Sequence, residues 1–246
     1  MDKISNKDIK RYKKNFEFSY TLGVFPTVEL MKYKKECTAK IFVSEKGLEN
    51  EGVQKLINSA EKEGIPCEIS DKVINRISSK DNCYAAGVFF KYEDRLSEGN
   101  HLVLVNPSDM GNLGTIIRTS LGFGIRNIAI ISPGVDKFDP KSVRASMGAL
   151  FKMNIEYFDS YEDYEERFPE NKKYSFMLRG QKYLSETEIP KENFSLIFGN
   201  ESSGLDEEYF EKVSEGIKIK QTEDIDSLNL AISVGISLYE FTKNTF

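Results

Sequence analysis

Arg118 stands in the stretch GNLGTIIRTSLGFG, residues 111–124, directly after two isoleucines. The pattern predicts a loop that becomes a helix, with Asn112 as the helix N-cap and Gly114 allowing close backbone approach. An arginine there could pair with a carboxylate, or it could present its planar cationic fork to a phosphate or a ribose. Periodicity leaves both interpretations open.

Two further stretches place polar residues where apolar segments end. IFGNESSGL holds Glu201 between small residues, and DSLNLAISVG places Ser227 and Asn229 before an apolar helix. Glu201 could act in catalysis or simply favour a helix start, and Ser227 and Asn229 could be ordinary caps. Helix capping alone explains these polar residues less completely, because it would have to apply separately after each of three strands.

Alternating strand-like and helix-like segments must position these residues. After about residue 100, apolar runs such as LVLV, IAII and SLIF alternate with helical patterns, which predicts a parallel sheet covered on both faces. Ligands of such α/β sheets bind beyond the carboxyl ends of the strands. That rule selects three loops, at 105–114, 198–205 and 219–229.

A smaller α/β unit is predicted before this sheet. TAKIFVS, IPCEIS and CYAAGVFFKY have strand patterns, whereas VQKLINSAEKEG and KVINRISS have helical spacing. The charged stretch EDRLSEGN follows without apolar periodicity, which indicates a linker. The sequence therefore predicts two domains, 1–97 and 98–246.

Composition restricts the class of protein. The 246 residues are 39% hydrophobic and 30% charged, as in an ordinary globular chain. No apolar run reaches the roughly 20 residues that span a bilayer, and the N-terminus lacks the apolar core of a signal peptide. We therefore expect a cytoplasmic protein with no membrane association. Three separated cysteines and a single histidine predict neither a metal site nor a disulfide framework.

Positive charge is concentrated near the N-terminus, although the net charge is −5. The densest runs are KDIKRYKK, residues 7–14, and KYKK, residues 32–35, whereas residues 101–246 carry an excess of Asp and Glu. The basic runs could be a solvated face, or they could form a local patch for a phosphate backbone.

The three polar stretches together resemble the three signature motifs of the SpoU/TrmH family of S-adenosylmethionine-dependent RNA ribose 2′-O-methyltransferases, within the SPOUT superfamily. GNLGTIIRT resembles the first motif, FGNESSGL the second and SLNLAIS the third, in the same order and with similar spacing. The similarity covers about residues 100–246. Residues 4–90 resemble, less closely, the small α/β substrate-binding domain that often precedes this catalytic domain. The motif residues are Asn112, Gly114, Arg118, Gly199, Glu201, Gly204, Ser227 and Asn229.

The resemblance implies a fold, a cofactor and partners. The second domain is expected to be a SPOUT parallel-sheet domain with a deep trefoil knot, and to work as a homodimer on tRNA or rRNA. It is expected to bind S-adenosylmethionine in a bent form. The backbone around Gly199, Ile219 and Leu228 would hold the adenosine part, with Ser227 and Asn229 also at the cofactor.

The resemblance also implies catalytic roles for Arg118, Asn112, Glu201, Ser227 and Asn229. A guanidinium whose pKa exceeds about 12 is a poor proton acceptor. We therefore expect Arg118 to fix the RNA phosphate and stabilise the developing alkoxide, with Glu201 orienting it. Asn112, Ser227 and Asn229 would position the ribose and the cofactor loops, and the proton would leave through phosphate or water.

The chain departs from the family pattern in one functional stretch. IKQ, residues 219–221, replaces an Ile-Pro-Met-like sequence, which predicts a more polar and more flexible cofactor wall. Two alternatives stay open, the first because of this stretch and the second because of the G-x-x-G spacing at 111–114. One is an RNA-binding protein that has kept the fold but lost turnover. The other is a Rossmann-type nucleotide-binding protein, although the chain lacks GxGxxG after its first strand.

Overall fold

The computed structural model describes residues 4–78, 82–206, 209, 213 and 215–245. The chain divides into two compact units, each with its own sheet. The first unit comprises Met1–Tyr92 and Asp136–Lys152, and the second comprises Glu93–Val135 and Met153–Phe246. No helix in the described ranges is long and apolar enough to cross a bilayer.

The first unit is built on a mixed four-stranded sheet. Its elements up to residue 92 are β1 (Phe18–Leu22), α1 (Val24–Tyr33), β2 (Thr38–Val43), α2 (Glu51–Lys62), β3 (Cys67–Ile69), α3 (Asp71–Ile77) and β4 (Ala85–Phe90). The strand order is β1-β4-β2-β3, with β4 antiparallel to both neighbours and β2 parallel to β3. The predicted strands and helices of this region are all present, and Ser79 of the second predicted helix, KVINRISS, lies outside the described residues. The sequence patterns did not indicate β1 and α1.

Residues 93–245 form a longer series of elements. They are β5 (His101–Val105), α4 (Met110–Gly122), β6 (Asn127–Ile131), α5 (Pro140–Ala145), β7 (Asn154–Phe158), α6 (Tyr161–Arg167), β8 (Lys172–Phe176), β9 (Lys182–Tyr183), β10 (Phe194–Phe198), β11 (Glu215–Lys218) and α7 (Leu230–Thr242). All strands of this group belong to one seven-stranded sheet, and every pairing in it is parallel. The predicted parallel sheet is therefore confirmed.

The segment Asp136–Lys152, which contains α5, belongs to the first unit although it lies between β6 and β7 in the chain. Two of its aromatic rings pack against Phe89 of β4: Phe138 at 5.9 Å and Phe151 at 5.4 Å between ring centroids. The predicted division at residue 97 did not anticipate this insertion. The assignment of this segment to the first unit depends on contacts between side chains that are distant in the sequence. A change of composition along the chain therefore gives no sign of it.

The strand order of the second sheet is β7-β6-β5-β10-β8-β11-β9. In a Rossmann sheet the first strand in chain order lies beside the fourth. Here the first strand of the sheet, β5, lies beside β10, which is the sixth strand in chain order. The loops that follow β5, β10 and β11 all leave from the carboxyl edge of the sheet, because the strands are parallel. These are the three loops selected from the sequence.

His101, the only histidine of the sequence, lies at the opposite edge, as the first residue of β5. Its Nδ1 lies 2.9 Å from the Tyr164 hydroxyl and its Nε2 lies 2.8 Å from the Ser97 carbonyl oxygen. Burial lowers the pKa of His101, so the ring stays neutral near pH 7. This histidine is a buried structural residue and takes no part in the carboxyl-edge site.

Candidate active site

Glu201 joins the first two motif loops. Its Oε2 accepts hydrogen bonds from the backbone N–H and the hydroxyl of Ser108, at 2.9 and 2.7 Å. Its Oε1 accepts from the N–H of Asp109 at 3.1 Å and from Nδ2 of Asn112 at 3.2 Å. Since β5 and β10 are neighbours, the sheet brings together loops that are 93 residues apart in the chain.

These hydrogen bonds fix the charge state of Glu201. Partial burial raises the pKa of this carboxyl, but the hydrogen bonds from Ser108 and Asn112 outweigh it, so the pKa lies below its usual value. Glu201 is therefore ionised at neutral pH. A carboxylate that already accepts four hydrogen bonds is suited to holding loops in place, and poorly suited to receiving a proton.

Asn229 connects the third motif to the same cluster. Its Nδ2 donates to Oδ1 of Asn112 at 3.0 Å, and its own Oδ1 accepts the N–H groups of Ala231 and Ile232, which makes it the N-cap of α7. Asn229 is therefore a helix cap, one of the two interpretations that the sequence left open, and it also contacts the cluster. The predicted cap at Asn112 is wrong.

Asp109 caps α4 instead, accepting the backbone N–H of Asn112 at 2.7 Å. Asn112 is the third residue of the helix, in its first turn. That position frees its side chain, and the amide uses one end for Glu201 and the other for Asn229. One asparagine thereby links the second motif to the third.

Arg118 lies outside this cluster. It is exposed on α4, six residues beyond Asn112, and this spacing corresponds to about 9 Å along the helix axis. Within the described ranges Arg118 has no hydrogen-bond or ion-pair partner, so the structural ion pair considered from sequence is not formed there. Nor does Glu201 orient it by direct contact, because the contacts of Glu201 go to Ser108, Asp109 and Asn112.

The turn after β10 is held by hydrogen bonds between its own first and last residues. Asn200 and Gly204 exchange backbone hydrogen bonds of 3.0 and 2.9 Å, and Gly204 has a left-handed backbone with φ of +72°. Gly199 packs so closely against this turn that an added Cβ would lie 2.1 Å from the Gly204 carbonyl carbon. Only glycine fits at 199, as the second motif implied.

The loop after β11 carries the remaining predicted residues. Ile219 and Leu228 are half-buried, whereas Ser227 is exposed. The Gln221 side chain donates to the carbonyl oxygens of Ile225 and Asp226, at 3.4 and 3.3 Å. Gln221 therefore connects the beginning of this loop to its end, and the expected flexibility of the IKQ stretch stays a prediction.

Sequence reasoning missed four residues of the cluster: Ser108, Asp109, Asn106 and Asn200. The Asn200 side chain donates to the Asn106 carbonyl oxygen at 2.7 Å, and Asn106 has a φ of 50°. Asparagine tolerates that left-handed conformation better than most residues, so an Asn directly after a buried strand was an available signal. The contact of Ser108 with Glu201 had no local signal.

Two exposed apolar side chains follow strands at the carboxyl edge of the sheet. Leu178 follows β8 and Ile225 follows β11, the neighbouring strand, and these apolar side chains are 64% and 48% exposed. Ligand sites commonly combine such apolar walls with a few placed polar groups. In the described part of the chain, no group of three His, Cys, Asp or Glu side chains could hold a metal ion.

Comparison with known proteins agrees with this geometry. The chain is 29% identical over 210 residues to the 23S rRNA (guanosine(2553)-2′-O)-methyltransferase of Bacillus subtilis, covering 79% of this chain and 83% of that protein. It is 32% identical over 141 residues to an uncharacterized tRNA/rRNA methyltransferase of Synechocystis, and there it spans only about half (51%) of the relative.

Solved structures share the fold. An AdoMet-bound rRNA methyltransferase from Sinorhizobium meliloti is 25% identical, with a TM-score of 0.77, over 94% of this chain and 88% of that one. The SpoU methyltransferase AviRb from Streptomyces viridochromogenes is 18% identical, with a TM-score of 0.79 over 93% of this chain and 90% of that one. The model of the SpoU rRNA methylase family matches residues 99–239, more than half of the sequence. The chain therefore belongs to the SpoU rRNA methylase family.

Proposed function

We propose that this protein is an S-adenosylmethionine-dependent RNA methyltransferase that methylates a ribose 2′-hydroxyl of tRNA or rRNA, in the cytoplasm. One observation carries the proposal: Glu201, Asn112 and Asn229, one from each motif, form a continuous hydrogen-bonded chain at the carboxyl edge of the sheet. The family and the names of the relatives support it. No specific observation favours an RNA-binding protein without turnover.

S-adenosylmethionine, when bound, supplies a methyl group on a positively charged sulfur. We assign the backbone around Gly199, Ile219 and Leu228 to the adenosine part, with Leu178 and Ile225 as apolar wall. Glu201 holds the first two loops in one geometry, and Asn112 and Asn229 hold the third loop against them. These contacts hold the loops that set the distance and direction at which the ribose 2′-hydroxyl approaches the methyl group. Holding reacting groups in such a geometry lowers the free-energy barrier of the reaction.

Arg118 is assigned to the RNA. Its guanidinium remains protonated, so it binds the phosphate next to the target ribose and stabilises negative charge as it develops on the 2′-oxygen. The 2′-hydroxyl proton leaves to that phosphate or to water. Ser227 is exposed beside the cluster, and we assign it to the ribose or the cofactor loop.

The trefoil knot implied by the family resemblance stays a prediction. The strand order supports it: β10 lies between β5 and β8, and β11 lies between β8 and β9. Both late strands are therefore inserted between strands that come earlier in the chain. A C-terminal segment threaded through a loop requires that kind of insertion.

A basic surface of the first unit supports RNA as the partner. Lys34 lies over the Tyr92 ring at 4.2 Å from its centroid, and the buried Lys137 packs on the same ring at 5.5 Å. Next to Tyr92 in the chain, Lys91 lies over the Tyr12 ring at 4.9 Å. The basic runs 7–14 and 32–35 thus contribute Tyr12 and Lys34 to these contacts, and Lys91 also forms an ion pair with Asp136 at 3.3 Å. Positive charge with interleaved aromatic rings is suited to a phosphate backbone and unpaired bases.

An exposed apolar stripe on α7 supports the homodimer. Ile232, Ile236 and Tyr239 follow helical spacing and are 55%, 40% and 56% exposed. The stripe adjoins α4, since Tyr239 contacts the Phe123 ring at 6.4 Å. An apolar surface of this kind on a soluble protein marks an interaction site. A dimer through it would also bring Arg118 of α4 close to the interface.

The Ile236→Glu variant tests the dimer. A charge in the centre of a buried apolar interface would be desolvated without a partner, so we expect this variant to sediment as a monomer where the wild type sediments as a dimer. Lys243→Glu, beyond the end of the stripe, is the matched control and should remain dimeric. A monomeric wild type would contradict the assignment.

Methyl transfer from labelled cofactor tests the proposed activity. Total RNA from a strain lacking the gene should accept label from S-adenosylmethionine, and nuclease digestion should release the label as a 2′-O-methylated nucleoside. S-adenosylhomocysteine should raise the melting temperature, since a ligand that binds only the folded state stabilises it. A melting temperature unchanged at millimolar ligand, together with no labelled RNA, would refute the proposal.

A further inference from the structure

Arg144 is a half-buried cation of the first unit that the proposed chemistry does not use. It lies in the last turn of α5 and has no hydrogen-bond or ion-pair partner for its side chain within the described ranges. A partly desolvated guanidinium without an anion costs free energy. An anionic ligand would remove that cost.

The surroundings of Arg144 place it at the start of α1. Burial raises the pKa of the Cys83 thiol, but Arg144 lies near enough to lower it in part, and two residues further on the Ala85 carbonyl oxygen accepts the N–H of Gly23, the residue that precedes α1, at 2.8 Å. The turn after α5 also packs on α1: a Cβ on Gly148 would lie 2.6 Å from Cβ of Glu29. Arg144 and the first turns of α1 therefore share one surface of the first unit.

The nearest carboxylate of α1 does not neutralise Arg144. Glu29 is buried and forms an ion pair with Lys152. The charge of Glu29 is thus balanced by a different cation. Positive charge at Arg144 remains available to a ligand.

Two exposed apolar side chains accompany the arginine. Phe25, in the first turn of α1, is 54% exposed, and Met147, three residues after Arg144, is 40% exposed. Met147 has a φ of 49° and Gly148 has a φ of 80°. A left-handed backbone at a residue other than glycine is uncommon and costs energy. The fold therefore keeps the Met147 side chain exposed at a cost in backbone free energy.

We infer that Arg144, Phe25 and Met147 form a binding site for an unpaired nucleotide of the RNA substrate. Arg144 binds the phosphate through its planar fork, and the base packs on Phe25 and Met147. Unpaired bases are commonly bound on aromatic side chains, with arginine supplying charge. The inference rests on the proposed RNA substrate, and it adds to the first unit a nucleotide site distinct from the lysine-rich surface around Tyr12 and Tyr92.

The test uses the full chain and a fluorescein-labelled 12-nucleotide oligoriboadenylate, without cofactor, with the dissociation constant measured by anisotropy from 50 to 300 mM salt. Arg144→Gln should weaken binding about tenfold and reduce the salt slope by about 0.7, the value for one phosphate contact on a single strand. Phe25→Ala should weaken binding by about fivefold or more, the scale of one lost base-stacking contact, whereas Phe25→Tyr should bind like the wild type.

Two controls separate the site from general effects. Lys141→Gln removes an equal charge from the exposed side of α5 and should change affinity less than threefold. Arg144→Lys keeps a positive charge at the helix end, so a purely structural role predicts wild-type affinity, whereas the phosphate fork predicts a loss of about fivefold. All variants should keep the wild-type melting temperature and its shift with S-adenosylhomocysteine.

Several results would overturn the inference. They are no oligonucleotide binding by the wild type at 50 mM salt, equal losses in Lys141→Gln and Arg144→Gln, or wild-type affinity in Arg144→Lys. A loss in Arg144→Gln without one in Phe25→Ala would show an anion site only, and would overturn the assignment to a nucleotide. Because this assay needs no methyl transfer, its failure is distinguishable from failure of the proposed activity.

Discussion

The Arg118→Lys variant is expected to transfer methyl groups about 100-fold more slowly than the wild type, or slower still, in a single turnover with saturating RNA and cofactor. This is the scale of one lost donor to a developing oxyanion. Lysine keeps the charge but offers a point charge in place of a planar fork, so it cannot hold phosphate and alkoxide together. The measurement is the rate of label transfer to the RNA that serves as substrate.

The structure makes this a sharp test, because Arg118 is exposed and has no partner in the described ranges. Its replacement should leave the melting temperature and the affinity for S-adenosylhomocysteine nearly unchanged. Arg95→Lys, at another exposed arginine of the second unit, is the matched control and should retain full activity. Near wild-type turnover in Arg118→Lys would end the catalytic assignment, and a large drop in its melting temperature would indicate a structural role.

The Gly199→Ala variant is expected to lose at least tenfold in affinity for S-adenosylhomocysteine and to melt about 3–10 °C lower, the range that overpacking of about 1–3 kcal/mol gives in a chain of this size. The added Cβ would lie 2.1 Å from the carbonyl carbon of Gly204 and 2.4 Å from the nitrogen of Leu205. The turn must therefore open, and Glu201 moves with it. Calorimetric titration and a thermal melt measure the two effects.

Gly122→Ala is the matched control for this substitution. Nothing lies within 4 Å of a Cβ built at Gly122, at the end of α4. Alanine there should be neutral or slightly stabilising, because it reduces the conformational freedom of the unfolded chain. If Gly199→Ala binds the cofactor like this control, the turn after β10 does not form the cofactor site.

Local sequence patterns were sufficient for most of the elements that carry the motifs. The apolar runs predicted β5, β6 and β10, and their continuous hydrophobicity predicted a parallel sheet, because both faces of such a sheet are buried. The short strands β9 and β11 were missed. Two to four residues that alternate little in polarity give no strand signal, and only their pairing with neighbours makes them strands.

The helix caps could also be predicted only in part from the local sequence. At Asn229 the sequence offered capping as one of two interpretations, because an apolar helix follows it directly, and Asn229 does cap α7. At Asn112 the same reasoning was wrong, since Asp109 caps α4 three residues earlier. Asp109 and Asn112 are both residue types that can cap a helix, so the local sequence does not choose between them. The hydrogen bonds of the Asn112 side chain to Glu201 and Asn229 favour Asp109 as the cap.

The sequence by itself determined the motif residues, their order, and the edge of the sheet where they meet, because these follow from residue types and from strand direction. Only the tertiary structure decided how they contact one another. It placed Glu201 against Ser108, Asp109 and Asn112, left Arg118 outside that cluster, and assigned residues 136–152 to the first unit. These outcomes depend on which strand lies beside β5 and on aromatic packing between distant segments, and neither leaves a periodic signal in the chain.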